Sequence, residues 1–322
     1  MRALDRSCRV GLSHQGEKKL RCQVVKDLSQ SGSHSVSALC DYLGISRQGY
    51  YTHVSREMEI DVLKTSLILY CKAVRADQLP KAGMRKLYEM CMRRFGEKMT
   101  IGRDQFFNLL RANDMTLRRK CKPKTTNSNH NYYIYPDLLN TTPKLVAARF
   151  CQLVVGDITY VATASGWAYL SLLTDAATRL IVGWALLPTL GKEGPMEALE
   201  MAKRFYMDNG IAFSKDADER MQLIHHSDRG SQYCSNEYVK ILKDSGIRIS
   251  MTQTGDPLHN ALAERMNNTI KNVWLFDCDN LTFDEAKAQI AHAVDMYNNV
   301  RPHQALGMKT PMEQLLALRK AA

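Results

Sequence analysis

The sequence predicts a mixed α/β body, a sheet flanked by helices, preceded by an all-helical region. Two observations carry this. Up to about residue 125 the apolar residues recur at helical spacing. From residue 150 they form β-rich runs that later alternate with helical ones, the pattern of a layered α/β domain. A third observation, the distribution of charge, separates the same two regions.

Residues 1–125 hold 25 Lys and Arg against 12 Asp and Glu, a net charge of +13. Residues 126–322 hold 19 against 21, a net −2, so the whole excess behind the chain's +11 lies in the first region. A basic arm on a nearly neutral body suggests a polyanion-binding region joined to something else; a solubilising surface is the other reading. No apolar run reaches the roughly 18–20 residues that a membrane span needs. The N-terminus has no continuous apolar stretch of a secretory signal, and the expected address is the cytoplasm. Nine cysteines, an odd number with no C-x-x-C pair and no zinc-finger spacing, read as reduced thiols.

The elements follow in order. Val36 to Leu43 has helical apolar spacing, Gly44 and Ile45 make a turn, and Ser46 is an N-cap for a second short helix through Tyr51. Helix, turn and helix with Arg47, Gln48 and Tyr50 exposed is the form of a helix-turn-helix. A second such unit spans residues 83–117, with one stripe of Met84, Leu87, Tyr88 and Cys91 and another of Phe106, Phe107, Leu109 and Leu110. Arg118 to Lys124 then places five Lys or Arg in seven residues (Arg118, Arg119, Lys120, Lys122 and Lys124). This run reads as a solvated linker or as a strip along a DNA backbone.

Three strands are expected at Cys151–Tyr160, Trp167–Leu173 and Leu180–Leu187, forming an antiparallel meander. A helix over Gly194–Tyr206, a strand at Met221–His225, a helix over Asn236–Asp244 and a strand at Arg248–Met251 follow. A long helix from about Asn260 to Leu275 and an amphipathic one over 283–299, broken at Arg301-Pro302-His303, complete the pattern.

Three carboxylates stand out. Asp157 lies within the apolar strand Leu153–Tyr160, where a charge is costly unless something pairs with it. Asp228 follows the fourth strand, beside a Gly-containing loop. Glu264 falls in the first turn of the long helix, with 35 residues between it and Asp228. Gathered at one sheet edge, they repel each other unless cations intervene. Hard oxygen donors favour Mg²⁺ or Mn²⁺, and a pair of such ions about 3.5–4 Å apart serves phosphoryl transfer.

The words around these residues are more specific than the spacing. Asp157-Ile158-Thr159-Tyr160, His226 to Tyr233, Asn260-Ala261-Leu262-Ala263-Glu264 and Tyr297 to Leu306 resemble the acidic-triad transposases of insertion sequences. The similarity is to the OrfB-type catalytic protein of the insertion-sequence-three family and runs from about residue 36 to 316. It implies a ribonuclease-H-like core of the retroviral-integrase superfamily, with Asp157, Asp228 and Glu264 binding two divalent ions. It also implies water attack on a phosphodiester at the element end, followed by attack of the freed 3′-hydroxyl on a second phosphodiester. Lys271 matches the family's basic position and is implied to touch DNA phosphate. Two positions depart from the pattern: Val155 stands where the family commonly has Trp, and His259 where it has Asp. The expected layout is helix-turn-helix regions at 1–56 and 57–125, a linker at 126–148, the core at 149–280 and a helical segment at 281–322. DNA is the expected partner, on which the chain forms a homo-oligomer, with an upstream-frame protein as a further partner and the nucleoid as its place of work. The alternatives are a catalytically silent DNA-binding regulator on the same fold and a simpler metal nuclease.

Other residues keep two readings. His225 and His226 read as packed or hydrogen-bonded loop groups, with His226 near the acids as the second option. Asp175 is a turn-capping residue or a fourth carboxylate. Trp167 and Trp184 are expected in the core. Arg229 pairs with Asp228 or touches phosphate. Tyr297, Arg301 and His303 end a helix or contact DNA.

Overall fold

The computed structural model describes residues 14–30, 32, 34–117, 131–140, 145–216, 218, 221–252, 261–275 and 278–321. The chain divides into two compact units, Met1–Tyr70 with Phe95–Leu109, and Cys71–Arg94 with Leu110–Ala322.

In the first unit, α1 (His14–Gln30), α2 (Val36–Leu43) and the start of α3 (Arg47–Asp77) share one small core. Cys22 and Val25 supply it from α1, Leu39 and Cys40 from α2, and Tyr50 from α3. The Ser35 side chain caps α2 by accepting from the Ala38 N–H at 3.3 Å. Gly44 ends α2 at φ 66°, a left-handed conformation that glycine reaches without a Cβ clash. Ser46 Oγ accepts from the Gly49 N–H at 3.0 Å and opens α3. This helix does not stop near Tyr51 as expected; it runs for 31 residues to Asp77. Between Gly49 and Pro80 the chain contains no Gly or Pro, so nothing local breaks the helix. Most of α5 (Arg103–Ala112), which buries Phe106 and Leu110, also belongs to this unit, whereas α4 (Met84–Phe95), which buries Leu87, Met90 and Cys91, lies almost wholly in the second.

The second unit is built on five strands: β1 (Leu153–Thr163), β2 (Gly166–Asp175), β3 (Ile181–Leu187), β4 (Ile224–Ser227) and β5 (Arg248–Met251). The first three form the expected antiparallel meander, while β4 runs parallel to β1 and β5 parallel to β4. The spatial order β3-β2-β1-β4-β5 puts β1 at the centre, which is the ribonuclease-H-like arrangement. Between strands lie α6 (Glu193–Asp208), α7 (Ser231–Cys234) and α8 (Asn236–Asp244); α9 (Ala261–Val273), α10 (Phe283–Asn299) and α11 (Pro311–Ala321) follow the sheet.

Strand alternation assigns the two faces. Val154 packs with Leu199, Tyr206, Tyr238 and Leu242 of α6 and α8 in one cluster. Leu153 and Val155 pack with Ile224 of β4 and Ala263 of α9 in the other. Trp184 is half-buried, but Trp167, expected in the core, is 62% exposed. It is the second residue of β2, at the hairpin end where the strand has exposed residues, and packs edge-on against Tyr160 at 6.2 Å. Among the described residues no helix is long and apolar enough to cross a membrane.

Candidate active site

Residues 153, 155 and 157 share one face of β1, so the alternation that buries Leu153 and Val155 against α9 also turns Asp157 toward that helix. Asp157 pairs in register with Leu172 of β2. Its Oδ1 accepts from the Ile158 N–H at 2.9 Å, and its Oδ2 accepts from the Asn267 Nδ2 of α9 at 2.7 Å. Burial, and next the Asp228 charge, push its carboxyl up to about 7; Glu264 pushes the same way, against the two hydrogen bonds. The proton affinity of Asp157 therefore registers both other carboxylates.

The preceding residue must be small. A Cβ on Gly156 would come within 2.9 Å of Leu173 Cδ2, 3.2 Å of His225 Nε2 and 3.3 Å of the Tyr233 hydroxyl. Glycine lets the opposite face of β1 close over this polar cluster while Asp157 faces α9. The Tyr233 hydroxyl is buried without a hydrogen-bond partner; burial, and then Tyr238 and the Asp157 and Asp228 charges, lift it far from ionisation.

Asp228 follows β4 directly, and its Oδ1 accepts from the Gly230 N–H at 2.9 Å, which shapes the loop into α7. Glu264 sits in the first turn of α9, as expected, and is half-buried. Asn267, one turn further on, does not stand out in the sequence; its position three residues after Glu264 is the available signal. It is 4% exposed, and its Oδ1 is buried with no hydrogen-bond partner. Lys271 follows Glu264 by two turns, about 10 Å along the axis, and is half-buried. The three carboxylates are thus electrostatic neighbours. They do not form a closed cage: among the described residues no three His, Cys, Asp or Glu are grouped so as to hold a metal ion.

Both histidines are buried and hydrogen-bonded. His225 Nε2 lies 2.8 Å from the Tyr238 hydroxyl, and burial pushes its pKa down to about 3, so it stays neutral. His226 Nδ1 lies 2.8 Å from Ser250 Oγ, which joins β4 to β5. Asp175 organises a turn: it accepts from the Thr178 N–H and hydroxyl, the Cys151 N–H and the Tyr206 hydroxyl. Arg229 Nε donates to the Thr252 carbonyl at 2.6 Å.

In the first unit Arg47 and Gln48 are exposed in the first turn of α3. Gln48 lines a concavity of about 620 Å³ together with Lys18, Lys19, Thr52, His53 and Arg56. Sequence patterning gives no sign of Lys18, Lys19 and Arg56 as a group, because only the packing of α1 on α3 gathers them. Arg118, Arg119, Lys120, Lys122 and Lys124 lie outside the described residues, as do His259 and Asn260.

Two family models, both described as an integrase core domain, match residues 148–257 and 245–311. The 31 kDa protein of insertion element IS600 from Shigella sonnei is 35% identical over 280 residues, covering 85% of this chain and 96% of that one. Transposase InsF for insertion sequence IS3fB of Escherichia coli (strain K12) is 26% identical over 290 residues, covering 86% and 92%. Among solved structures, the HTLV-2 integrase catalytic core domain in complex with magnesium aligns with a TM-score of 0.36 and 20% identity, covering 50% of this chain and 94% of that one.

Proposed function

The chain belongs to the insertion-sequence-three family of transposases, with an integrase-type core, and on that premise we propose that Asp157, Asp228 and Glu264 are its metal-binding catalytic acids. A transposase of this class is a polynucleotidyl transferase acting on DNA. The observation that carries the assignment is the Asp157 carboxyl itself, set in the central strand and raised to about 7 by burial and by the other two acids. Clustered carboxylates repel one another, and three hard oxygen donors suit Mg²⁺ or Mn²⁺.

The donor chemistry suits two such ions, and the three carboxylates have to draw closer together for all of them to ligate. When bound, the ions supply Lewis-acid activation of the attacking oxygen and neutralise charge at the leaving one. The chain's own residues prepare the site. Asn267 holds Asp157 Oδ2, the Gly230 N–H holds Asp228 Oδ1, and the apolar packing around Val155 and Ala263 keeps water from the strand side. Lys271 lies on the same helix face as Glu264 and contacts a DNA phosphate beside the acids. In the proposed sequence water cleaves a phosphodiester at the element end, and the freed 3′-hydroxyl attacks a second phosphodiester. Element ends are read by the helix-turn-helix regions at 1–56 and 57–125, through Arg47, Gln48 and the basic run at 118–124. Bringing two ends together requires an oligomer on DNA, with an upstream-frame protein as a further partner, on the nucleoid.

The test is incubation with labelled element-end DNA and Mg²⁺ or Mn²⁺, beside Asp157→Asn and Glu264→Gln. Nicking or joining by the wild type alone is the expected result, since the amides keep the size but lose the charge. Equal cleavage by the variants would show that the triad is misassigned. Equal DNA binding with no cleavage by any of them would favour a regulator.

A further inference from the structure

A second group of charged residues in the same unit has no part in the acid site. Four separated segments meet at the end of α10. The buried Tyr297 donates its hydroxyl to Met266 Sδ at 3.2 Å, next to Arg265 of α9. Asn298 makes a reciprocal pair with the Ile181 backbone, at 3.0 Å each way, two residues after Arg179. Arg93 of α4, the helix that carries Lys86, donates to the Met308 carbonyl at 2.7 Å and to Glu313 at 2.9 Å. After α10 the Arg301 guanidinium stands 5.6 Å from the Tyr297 ring centre, and the His303 ring lies edge-on to it at 6.1 Å.

Five basic groups are thereby within electrostatic reach of one another. Burial, and next the positive charges of Arg301, Arg179, Lys86 and Arg265, push His303 down to about 4, so its ring is a neutral hydrogen-bonding group among four cations. Burial and then Arg301 act on Lys86, and burial is the main influence on Arg179, which also feels Arg265. All but Arg265 are half-buried. Among the described residues none of the five has a carboxylate within 4.0 Å. Asp175, the acid whose charge reaches Arg179, already accepts four hydrogen bonds. The His303 Nδ1 is buried without a hydrogen-bond partner, and Arg179 is held at φ 64°, a backbone conformation that L side chains seldom adopt.

Half-buried cations that repel one another are costly to hold together unless an anion joins them. Arginine forks match the paired oxygens of a phosphate group. We propose that Lys86, Arg179, Arg265, Arg301 and His303 form a site for a phosphodiester group of the DNA backbone. This rests on the transposase reading for its choice of polyanion. Arg265 directly follows Glu264 and so projects about 100° around α9 from it, which places the bound phosphate beside the acid site rather than in it.

The test uses the full chain, a short random-sequence duplex, and the variants Lys86→Gln, Arg179→Gln and Arg301→Lys. Affinity is measured across a salt series, and melting temperature with and without inorganic phosphate. Each Gln variant is expected to bind the duplex several-fold more weakly, with a salt slope smaller by about 1. The DNA-free melting temperature stays level or rises, because the charge removed was a repelled one. Arg301→Lys keeps the charge but loses the fork, and falls in between. Wild-type affinity and slope in both Gln variants would overturn the proposal, as would a melting-temperature loss without any affinity loss. Stabilisation by inorganic phosphate with an unchanged duplex slope would overturn the DNA assignment. Asp157→Asn separates the two readings: it binds duplex with the wild-type slope and loses cleavage if the acid triad holds, whatever the Gln variants do.

Discussion

The surroundings of Asp157 oppose its charge. In the unfolded chain it gives up its proton near 3.8, while in the fold it holds that proton up to about 7. Between those values the unfolded state binds fewer protons, so the stability of the metal-free protein falls as pH rises through that window. Thermal unfolding between about pH 4 and 7 measures this slope, and Asp157→Asn is expected to flatten it and to melt higher than the wild type at neutral pH. Added Mg²⁺ or Mn²⁺ is expected to restore wild-type stability at neutral pH and to do little for the variant. An unchanged slope in Asp157→Asn would place the strain elsewhere. The acid itself was legible from the sequence, because a lone Asp in an apolar strand breaks the pattern. Trp167 shows the opposite case: its strand was legible, but its exposure depends on how far the hairpin extends past the body of the sheet.

At the level of elements, α9 carries the organisation of the site. Helical periodicity puts Glu264, Asn267 and Lys271 on one face, and the packing of Ala263 against β1 turns that face toward Asp157. Asn267 is a positioning residue that acts through Asp157. Replacing it with Ala is expected to raise the divalent-ion concentration needed for half-maximal cleavage by about 10–100-fold, in keeping with the loss of a group that orients a ligand. Duplex affinity stays at the wild-type value, and Asn267→Asp recovers part of the metal response. An ion dependence identical to wild type in Asn267→Ala would remove Asn267 from the site. The length of α3 is also an element-level result. The start signals at Ser46 and Gly49 were readable, whereas the end near Tyr51 was not marked by any Gly or Pro, and the helix continues to Asp77.

For the whole molecule, the division of charge suggests where DNA affinity resides. Lys18, Lys19 and Arg56 are exposed and line one concavity with Gln48, in the unit that also bears α2 and the start of α3. Changing all three to Gln is expected to lower the salt slope of duplex binding by about 1 for each phosphate that is no longer neutralised, with little change in melting temperature. A titration of binding against salt, set beside a melting curve, checks both parts. An unchanged slope would mean that this surface is only solvated.

The sequence by itself determined the order and type of the strands and longer helices of the core and the family, and it pointed to the three acids as candidates, while the short α7 was not marked in it. Those features depend on residues a few positions apart: alternation in β1, caps at Ser35 and Ser46, and short words around Asp157, Asp228 and Glu264. Tertiary structure alone decided that Asn267 bonds Asp157 across 110 positions of chain, and that Lys86, Arg179, Arg265, Arg301 and His303 share one site. The physical reason is that periodicity and capping are local interactions written in adjacent residues. Which helix face meets which strand is set by the packing of the whole core, and no short stretch of sequence contains it.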